Sequence, residues 1–379
     1  MISKYMKAVQ LGTLEPNAPL DVLKDTGTVL VVDGGQDESG GFGQVVAHHA
    51  MRMAIERAQR HGICALALRN THHIGRAGTY SELAASHGLV AIQFVNGTGT
   101  PPLVAPFGGA EPRLSTNPMS VAVPVPGDRP NLSLDFATSV VASGKVNVAA
   151  NRQEHLALGH LVDAEGEPTS DPVPFAKERE GALLPFGLHK GSGLALMCEL
   201  LGGVLTGGGT MDRFPQTRPS AVNNFIALVL DPASFRAGTG AAAAEAEPSG
   251  DGDGAEQSLS EVPTEALEAE LRRRSAASAP EAEAAREAFG AHVQEVVADF
   301  ASATPLRDDH PYKGGVGSLP PVVEGLPPSV MLPGERELVA KGDREERGVL
   351  VDDGMWGEVL TAGEIVGLGA AELDALVDE

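Results

Sequence analysis

The chain has little cysteine, few basic residues and no long apolar run. Only two of its 379 residues are cysteines. Cys64 sits in the apolar run ICALAL and Cys198 in LALMCELL. Both read as reduced core residues, which excludes a disulfide framework and a thiolate metal site. Lysine and arginine total 28 against 51 aspartates and glutamates, a formal net charge of -23. A surface that acidic repels nucleic acid and anionic membranes, and no cluster of lysine or arginine offsets it. No apolar run reaches the roughly 18 residues of a membrane span. The first residues, MISKYMKAVQ, contain no apolar region of a secretion signal. A cytoplasmic protein without nucleic-acid or membrane partners is expected.

The usual phosphate-binding signatures are also missing. GTGAAA at Gly238 has no strand feeding it, and GGFGQVV from Gly40 lacks the third glycine of a dinucleotide fingerprint. There is no G-x-x-x-x-G-K-[ST]. A bound nucleotide would have to be held by another device. Eleven histidines are present, including the pairs His48-His49 and His72-His73. Adjacent side chains point to different faces, and no H-E-x-x-H or C-x-x-C pattern accompanies them, so no metal site is expected.

What is present divides by composition. Residues 40–235 alternate apolar segments with glycine turns. GFGQVVAHHAMRMAIERAQRHG carries Val45, Val46, Ala50, Met53, Ala54 and Ala58 at helical spacing and ends at Gly62 as a C-cap. ICALAL and LVAIQFV read as buried strands. SVAVPVP and LSLDF read as two more strands joined by a turn, and NNFIALVLD as another. HKGSGLALMCELLGGVLTGG reads as a helix opening near Lys190 and closing at Gly207. Residues 236–280 are an Ala/Glu/Gly/Ser/Pro mixture too poor in apolar residues to offset their ordering entropy, with a short helix at TEALEAELRRR capped by Thr264. A helix resumes at PEAEAAREAFGAHVQEVVADFAS, and residues 306–330 form a Pro/Gly-rich loop. The chain therefore divides into residues 1–39, a core over 40–235, an acidic low-complexity insertion over 236–280, and a helical segment over 281–379.

One stretch concentrates chemistry. RNTHHIGRAG, residues 69–78, lies between the strand ICALAL and the helical TYSELAASHG. Its histidines either cap the following helix, or one is a general acid/base poised by its near-neutral pKa. In the second reading Arg76 could hold an anionic substrate group bidentately. Residue chemistry alone leaves both open.

From Phe42 to about Asp231 the chain resembles the malate/L-lactate dehydrogenase family, which is unrelated to the Rossmann dehydrogenases. The motifs that carry the likeness are ALRNTHHIGRAGTYSELAASHGLVAI, PPLVAPFGGAEPRLSTNPMSVAVPVP, LDFATSVVASGKV, GEPTSDP, HKGSGLALMCELLGGVLTGG and LPGERE. Within the family the chain is most similar to the hydroxycarboxylate dehydrogenase B branch. The resemblance implies a mixed-sheet α/β fold of the sulfolactate-dehydrogenase kind, a homodimer, and NAD- or NADP-dependent interconversion of a 2-hydroxycarboxylate and a 2-oxocarboxylate. It implies His73 as the residue that moves the proton at the substrate oxygen. It implies cofactor contacts at Gly75, Arg76 and Ala77, at Leu134, Asp135, Phe136 and Ala137, at His189 and Lys190, at Asn224, and at Gly334, Glu335 and Arg336. Arg336 replaces the aromatic residue usual in that branch, so no stacking is expected there. Physical reading agrees at the histidine seam and at Lys190, where a helix N-terminus suits a phosphate.

Family members place an S-H-G tripeptide ahead of a stretch like MISKYMKAVQLG, so an upstream segment is expected to be absent here. Ser86-His87-Gly88 is not its replacement, because it closes a helix, with Gly88 as the C-cap. Two alternatives accompany the main reading. One is an imine reductase acting on a cyclic 2-carboxylate, and the other is a truncated, non-catalytic homologue.

Overall fold

The computed structural model describes residues 2–235, apart from 17, 37–38, 128–129 and 212–220, together with 279–301, 342, 344, 349 and 353–365. The capped helix at Thr264, the 306–330 loop and Gly334, Glu335 and Arg336 lie outside the described residues.

Among the described residues seven strands form the main sheet. They are β1 (Asp21–Asp25), β2 (Val29–Asp33), β3 (Ile63–His72), β4 (Val90–Thr98), β5 (Met119–Val123), β6 (Leu132–Phe136) and β7 (Val222–Leu230). Their spatial order is β1-β2-β3-β7-β4-β5-β6. β2 and β3 run parallel and every other neighbouring pair is antiparallel. The sheet is therefore mixed, as expected, and not the all-parallel sheet of a doubly wound nucleotide fold. The single parallel pair needs a crossover, and α2 (Gly43–His61) supplies it.

α2 shows how sequence becomes packing. Its buried residues are Gly43, Val46, Ala47, Ala50, Met51, Ala54, Ile55 and Ala58, a three-four spacing that lays one stripe on the sheet. Val45, expected on that stripe, faces outward at 51% exposure. The small alanines let the helix approach β3 closely. Gly62 ends it in the left-handed conformation (φ 81°), with its N–H on Ala58 O at 2.7 Å. Beneath α2 and α3 (Gly78–Ala85) lie Leu30, Val32, Cys64, Leu66, Leu68, Ala91, Val95, Phe225, Ala227 and Val229 in one apolar cluster. A fully buried leucine there contributes about 1.5–3 kcal/mol.

A smaller cluster of Val104, Val141, Val146, Leu161, Phe175 and Leu183 packs under α4 (Ser143–Arg152) and a ribbon of Leu161–Val162 between Pro168–Thr169 and Ala182–Leu183. The expected helix at HKGSGLALMCELLGGVLTGG opens at His189 as α5 (His189–Cys198). It does not run on as α-helix: Glu199–Val204 widen into a π-helical segment. Gly202 and Gly203 sit in that segment where an added Cβ would meet the backbone of β4 and the carbonyl of Gly209. Both cysteines are free and buried, and burial pushes their thiols up to about 11 for Cys64 and about 12 for Cys198.

Two further helices complete the described fold, α6 (Ala279–Ala301) and α7 (Asp353–Ile365). α6 is tied to the core by Arg286, whose guanidinium meets both oxygens of the buried Asp231 at 3.0 and 2.5 Å. α7 packs on α1 (Ile2–Gln10).

Candidate active site

The strand β3 stops at His72, and His73 begins the loop to α3. That junction is held from several sides. Ile74 donates its N–H to Asn223 Oδ1 at 3.0 Å, and its carbonyl accepts the Tyr80 hydroxyl at 2.5 Å. Asn70, at φ 52°, donates its N–H to Asn224 Oδ1 at 2.7 Å, where β3 and β7 slip register. The start of α2 also presses on the loop. A Cβ at position 43 would collide with the carbonyl oxygens of His72 and His73, so only glycine fits there.

The two histidines differ sharply. His72 is 6% exposed, its Nδ1 is buried without a partner, and burial together with the neighbouring His73 pushes its pKa down to about 4. It stays neutral at ordinary pH. His73 is half-buried and joins a side-chain chain. Its Nδ1 lies 2.6 Å from the Tyr5 hydroxyl, and Gln44 Nε2 donates to that hydroxyl at 2.8 Å. The Gly75 N–H also points at Nδ1, at 3.3 Å. The Tyr5 ring packs on Phe42, His72 and His73, with centroids 6.1, 5.4 and 6.0 Å away. Burial raises the Tyr5 pKa, so the hydroxyl remains protonated. Neither histidine caps α3, whose N-cap is Ala77 with no side-chain bond.

Arg76 does not offer its fork outward. Glu82 takes it bidentately at 2.7 Å through each oxygen, and Asp135 Oδ2 sits 3.1 Å from Nε. The bidentate partner expected from a substrate is thus internal. Asp135 Oδ2 also accepts the Gly78 N–H at 3.0 Å, and Ser133 Oγ donates to Glu82 at 2.5 Å. These bonds bring the 75–77 segment and the 134–137 segment together, although 57 residues separate Gly78 from Asp135. Gly75 (φ 74°) is exposed and Ala77 is buried.

Leu134, Asp135, Phe136 and Ala137 line a cavity of about 550 Å³ with Ser139, Val140, Val141, Ala142, Lys145 and Phe186. Phe136 and Phe186 meet edge to face at 5.5 Å. The volume falls within the range of small-molecule sites. Its wall is mostly apolar, and Lys145 stands with the first turn of α4 at its rim, where backbone N–H groups lack a side-chain cap. Three residues beyond Phe186, His189 and Lys190 open α5 in exposed positions, with the His189 ring edge on Phe107. Gly191 lets that turn close, since a Cβ there would strike the Phe186 carbonyl.

Asn224 sits elsewhere, in a buried network. Its Oδ1 accepts from Asn70 N, and its Nδ2 donates to Asn96 Oδ1 at 3.0 Å and Gly208 O at 3.3 Å. Asn223 Nδ2 donates to Asn96 O at 3.1 Å. The network ends on Glu199, which accepts from Asn117 Nδ2 at 2.8 Å and Met211 N at 2.6 Å. Tyr5, Gln44 and Asn223 were not singled out in the sequence. Gln44 lay in view in GFGQVV, but only as a failed glycine fingerprint.

Comparison with known proteins shows the family and the fold. Residues 1–248 match the family model described as malate/L-lactate dehydrogenase. An L-lactate dehydrogenase of Cupriavidus necator is 43% identical over 233 residues, 62% of this chain and 66% of that protein. Hydroxycarboxylate dehydrogenase B of Escherichia coli O157:H7 is 33% identical over 381 residues, 100% of this chain and 85% of that protein. Among solved structures, the sulfolactate dehydrogenase of Methanocaldococcus jannaschii superposes with a TM-score of 0.65 at 27% identity, covering 97% of this chain and 84% of that one.

Proposed function

Since the chain belongs to the malate/L-lactate dehydrogenase family of oxidoreductases, we propose that it interconverts a 2-hydroxycarboxylate and a 2-oxocarboxylate with a nicotinamide dinucleotide. The observation that carries this reading is His73, placed at a strand end and backed through Nδ1 by Tyr5 and Gln44. An imidazole oriented in this way suits proton chemistry at a substrate oxygen.

The residues present fit the dinucleotide. Leu134, Phe136, Ala137, Val140 and Phe186 offer apolar walls to a ring, while Lys145 and the first turn of α4 offer positive charge to a phosphate. When bound, the cofactor supplies or accepts the hydride. The chain's own part is then positional and acid–base. His73 gives a proton to the oxygen of the 2-oxo acid during reduction and takes it back during oxidation. Asn223 and Tyr80 fix the Ile74 peptide units beside it, so the ring's anchor does not drift. Arg76, neutralised by Glu82 and Asp135, joins the His73 loop to the cavity wall. The cofactor contacts at Gly75 and Ala77 and at His189, Lys190 and Asn224 belong to the same proposal, as do a homodimer and a cytoplasmic location. The buried amide bonds of Asn224 suit a supporting role behind the site.

The test is His73→Ala assayed with 2-oxo acids and NADH or NADPH by cofactor absorbance. General acid–base catalysis contributes about 10²–10⁴-fold, so kcat should fall by that factor while NADH affinity stays near wild type. An unchanged kcat would remove His73 from the chemistry.

A further inference from the structure

We propose that α1 and α7 form one two-helix lid over the candidate site, hinged at the turn after α1 and latched by Tyr5. That the lid serves catalysis rests on the proposed reaction at His73. That the two helices move together does not.

Neither helix stands alone. α1 has 9 residues, fewer than the roughly 12–15 an isolated helix needs in water. α7 has 13, and Gly354, Gly357 and Gly363 among them are poor helix formers. Among the described elements each of the two is the other's main packing partner. Ala8 on α1 and Ala362 and Gly363 on α7 are buried, and side chains that small suit two helices lying close together.

The pair meets the rest of the fold at narrow places. α1 reaches the histidine loop with Tyr5, whose ring lies against Phe42, His72 and His73 and whose hydroxyl is 2.6 Å from His73 Nδ1. Beyond Gln10 the chain turns through Gly12, at φ 68°. Leu14, 1% exposed, then fastens it beside Gly40, whose carbonyl accepts the Glu15 N–H at 3.1 Å. A helix held at one end and by one ring, and backed by a partner of low helix propensity, opens without unfolding the sheet. α2 is the contrast, since its whole buried stripe lies on the sheet.

Such a unit supplies what the site requires. His73 is half-buried with the Tyr5 ring against it. An acid and a dinucleotide have to enter and leave, while proton transfer is best done with water shut out. The open lid admits the reactants, and Tyr5 docked on the loop completes the wall. Two positions on α7 move the balance in opposite directions. A Cβ at Gly357 would meet nothing within 4 Å, so alanine there adds helix propensity and removes no contact. Ala362 is 3% exposed, and a carboxylate there has to leave the packed face.

The experiment is hydrogen exchange of the full chain, read by mass spectrometry on peptides from α1, α7, α2 and β3. Gly357→Ala should slow exchange in both α1 and α7 by about fivefold. Ala362→Asp should speed it in both by about tenfold or more. Tyr5→Ala, at the latch, should speed exchange in α7. α2 and β3 should keep their rates in all three. Trp356, the only tryptophan and half-buried on α7, gives a second reading. Its quenching by acrylamide should fall in Gly357→Ala and rise in the other two variants. With NADH and pyruvate, 2-oxoglutarate or phenylpyruvate, the KM of the acid should rise in Ala362→Asp and fall in Gly357→Ala, because binding draws on the closed fraction. Exchange in α1 that ignores both α7 variants, or that changes equally in α2 and β3, would overturn the lid, and so would a KM unmoved by either. If Ala362→Asp does not fold, Gly357→Ala and Tyr5→Ala decide by the same readings. Coupled exchange in a wild-type protein that reduces none of these acids would uphold the lid and defeat the dehydrogenase reading instead.

Discussion

The two sides of the central strands are built from different materials. Toward α2 and α3, alternate residues of β3, β4 and β7 present Leu66, Leu68, Ala91, Val95, Ala227 and Val229. Toward α5 and its π-helical extension, the same strands present Asn96 and Asn224, which join Asn117 and the buried Glu199. The apolar side is held by area and volume, which tolerate exchange of one hydrocarbon for another of equal size. The amide side is held by counted donors and acceptors, each of which costs free energy if left alone. Position therefore comes from the amide side and cohesion from the apolar side. The His73 loop hangs from Asn223, whose Nδ2 ties it to the Asn96 carbonyl of the amide network, and leans on the apolar side through Tyr80, which stacks on Phe225.

The sharpest test of that division is Leu66→Ala. It should cost about 2–5 kcal/mol in denaturant unfolding, yet leave kcat within a few-fold of wild type. A large kcat loss at equal folded fraction would show that the apolar side also sets geometry.

A second test uses His72, the buried last residue of β3. Its folded pKa of about 4 is below the ordinary 6.5, so the unfolded chain binds the extra proton between those values. Stability from this group is complete above about pH 6.5 and lost as pH falls toward 4. The shift corresponds to at most about 3 kcal/mol. Urea midpoints measured from pH 7 to 4 should fall, and His72→Gln should flatten that slope. An equal slope in the variant would assign the acid sensitivity elsewhere.

Asn223→Leu should have a smaller effect on stability, about 1–3 kcal/mol, because it strands the Ile74 N–H and leaves Asn96 O without its donor. Unlike Leu66→Ala, it should lower kcat at least tenfold, which corresponds to about 1.4 kcal/mol in the barrier. Equal loss of stability with full kcat would break the comparison. At the bottom of the scale stands Val45→Thr, on the outward face of α2. It should move stability by less than about 0.5 kcal/mol, and a larger change in melting temperature would reveal something packed on that face.

These contrasts explain what the sequence disclosed. Periodicity found α2, its end at Gly62, the strand ICALAL and the start of α5, because each is decided by neighbours within four residues. It put Val45 on the buried stripe because adjacent valines are equivalent to a pattern and not to a helix surface. The likeness of RNTHHIGRAG and its companions to a known family is what points to His73, the residue of the proposed proton transfer. Tyr5 escaped notice because its bond to His73 spans 68 residues and leaves no local pattern. Asp135, one partner of Arg76, was hidden for the same reason, lying on another strand. After Cys198 the widened turn brings Gly202 so close to the backbone of β4 that a Cβ would not fit, an approach no helical spacing reports.

The order of the strands has a consequence for synthesis. Among the described residues β7 is the last strand of the main sheet to be made, yet it occupies the middle, paired with β3 on one side and β4 on the other. Until residue 230 has left the ribosome, β3 and β4 have no common partner and expose two long edges rich in Leu, Ile and Val. Closing the sheet then means threading one strand between two that are already waiting, a non-local step of the slow kind. The most dangerous interval for this protein is therefore the time taken to translate the stretch between β4 and β7. A chaperone that covers bare strand edges should matter most to it then.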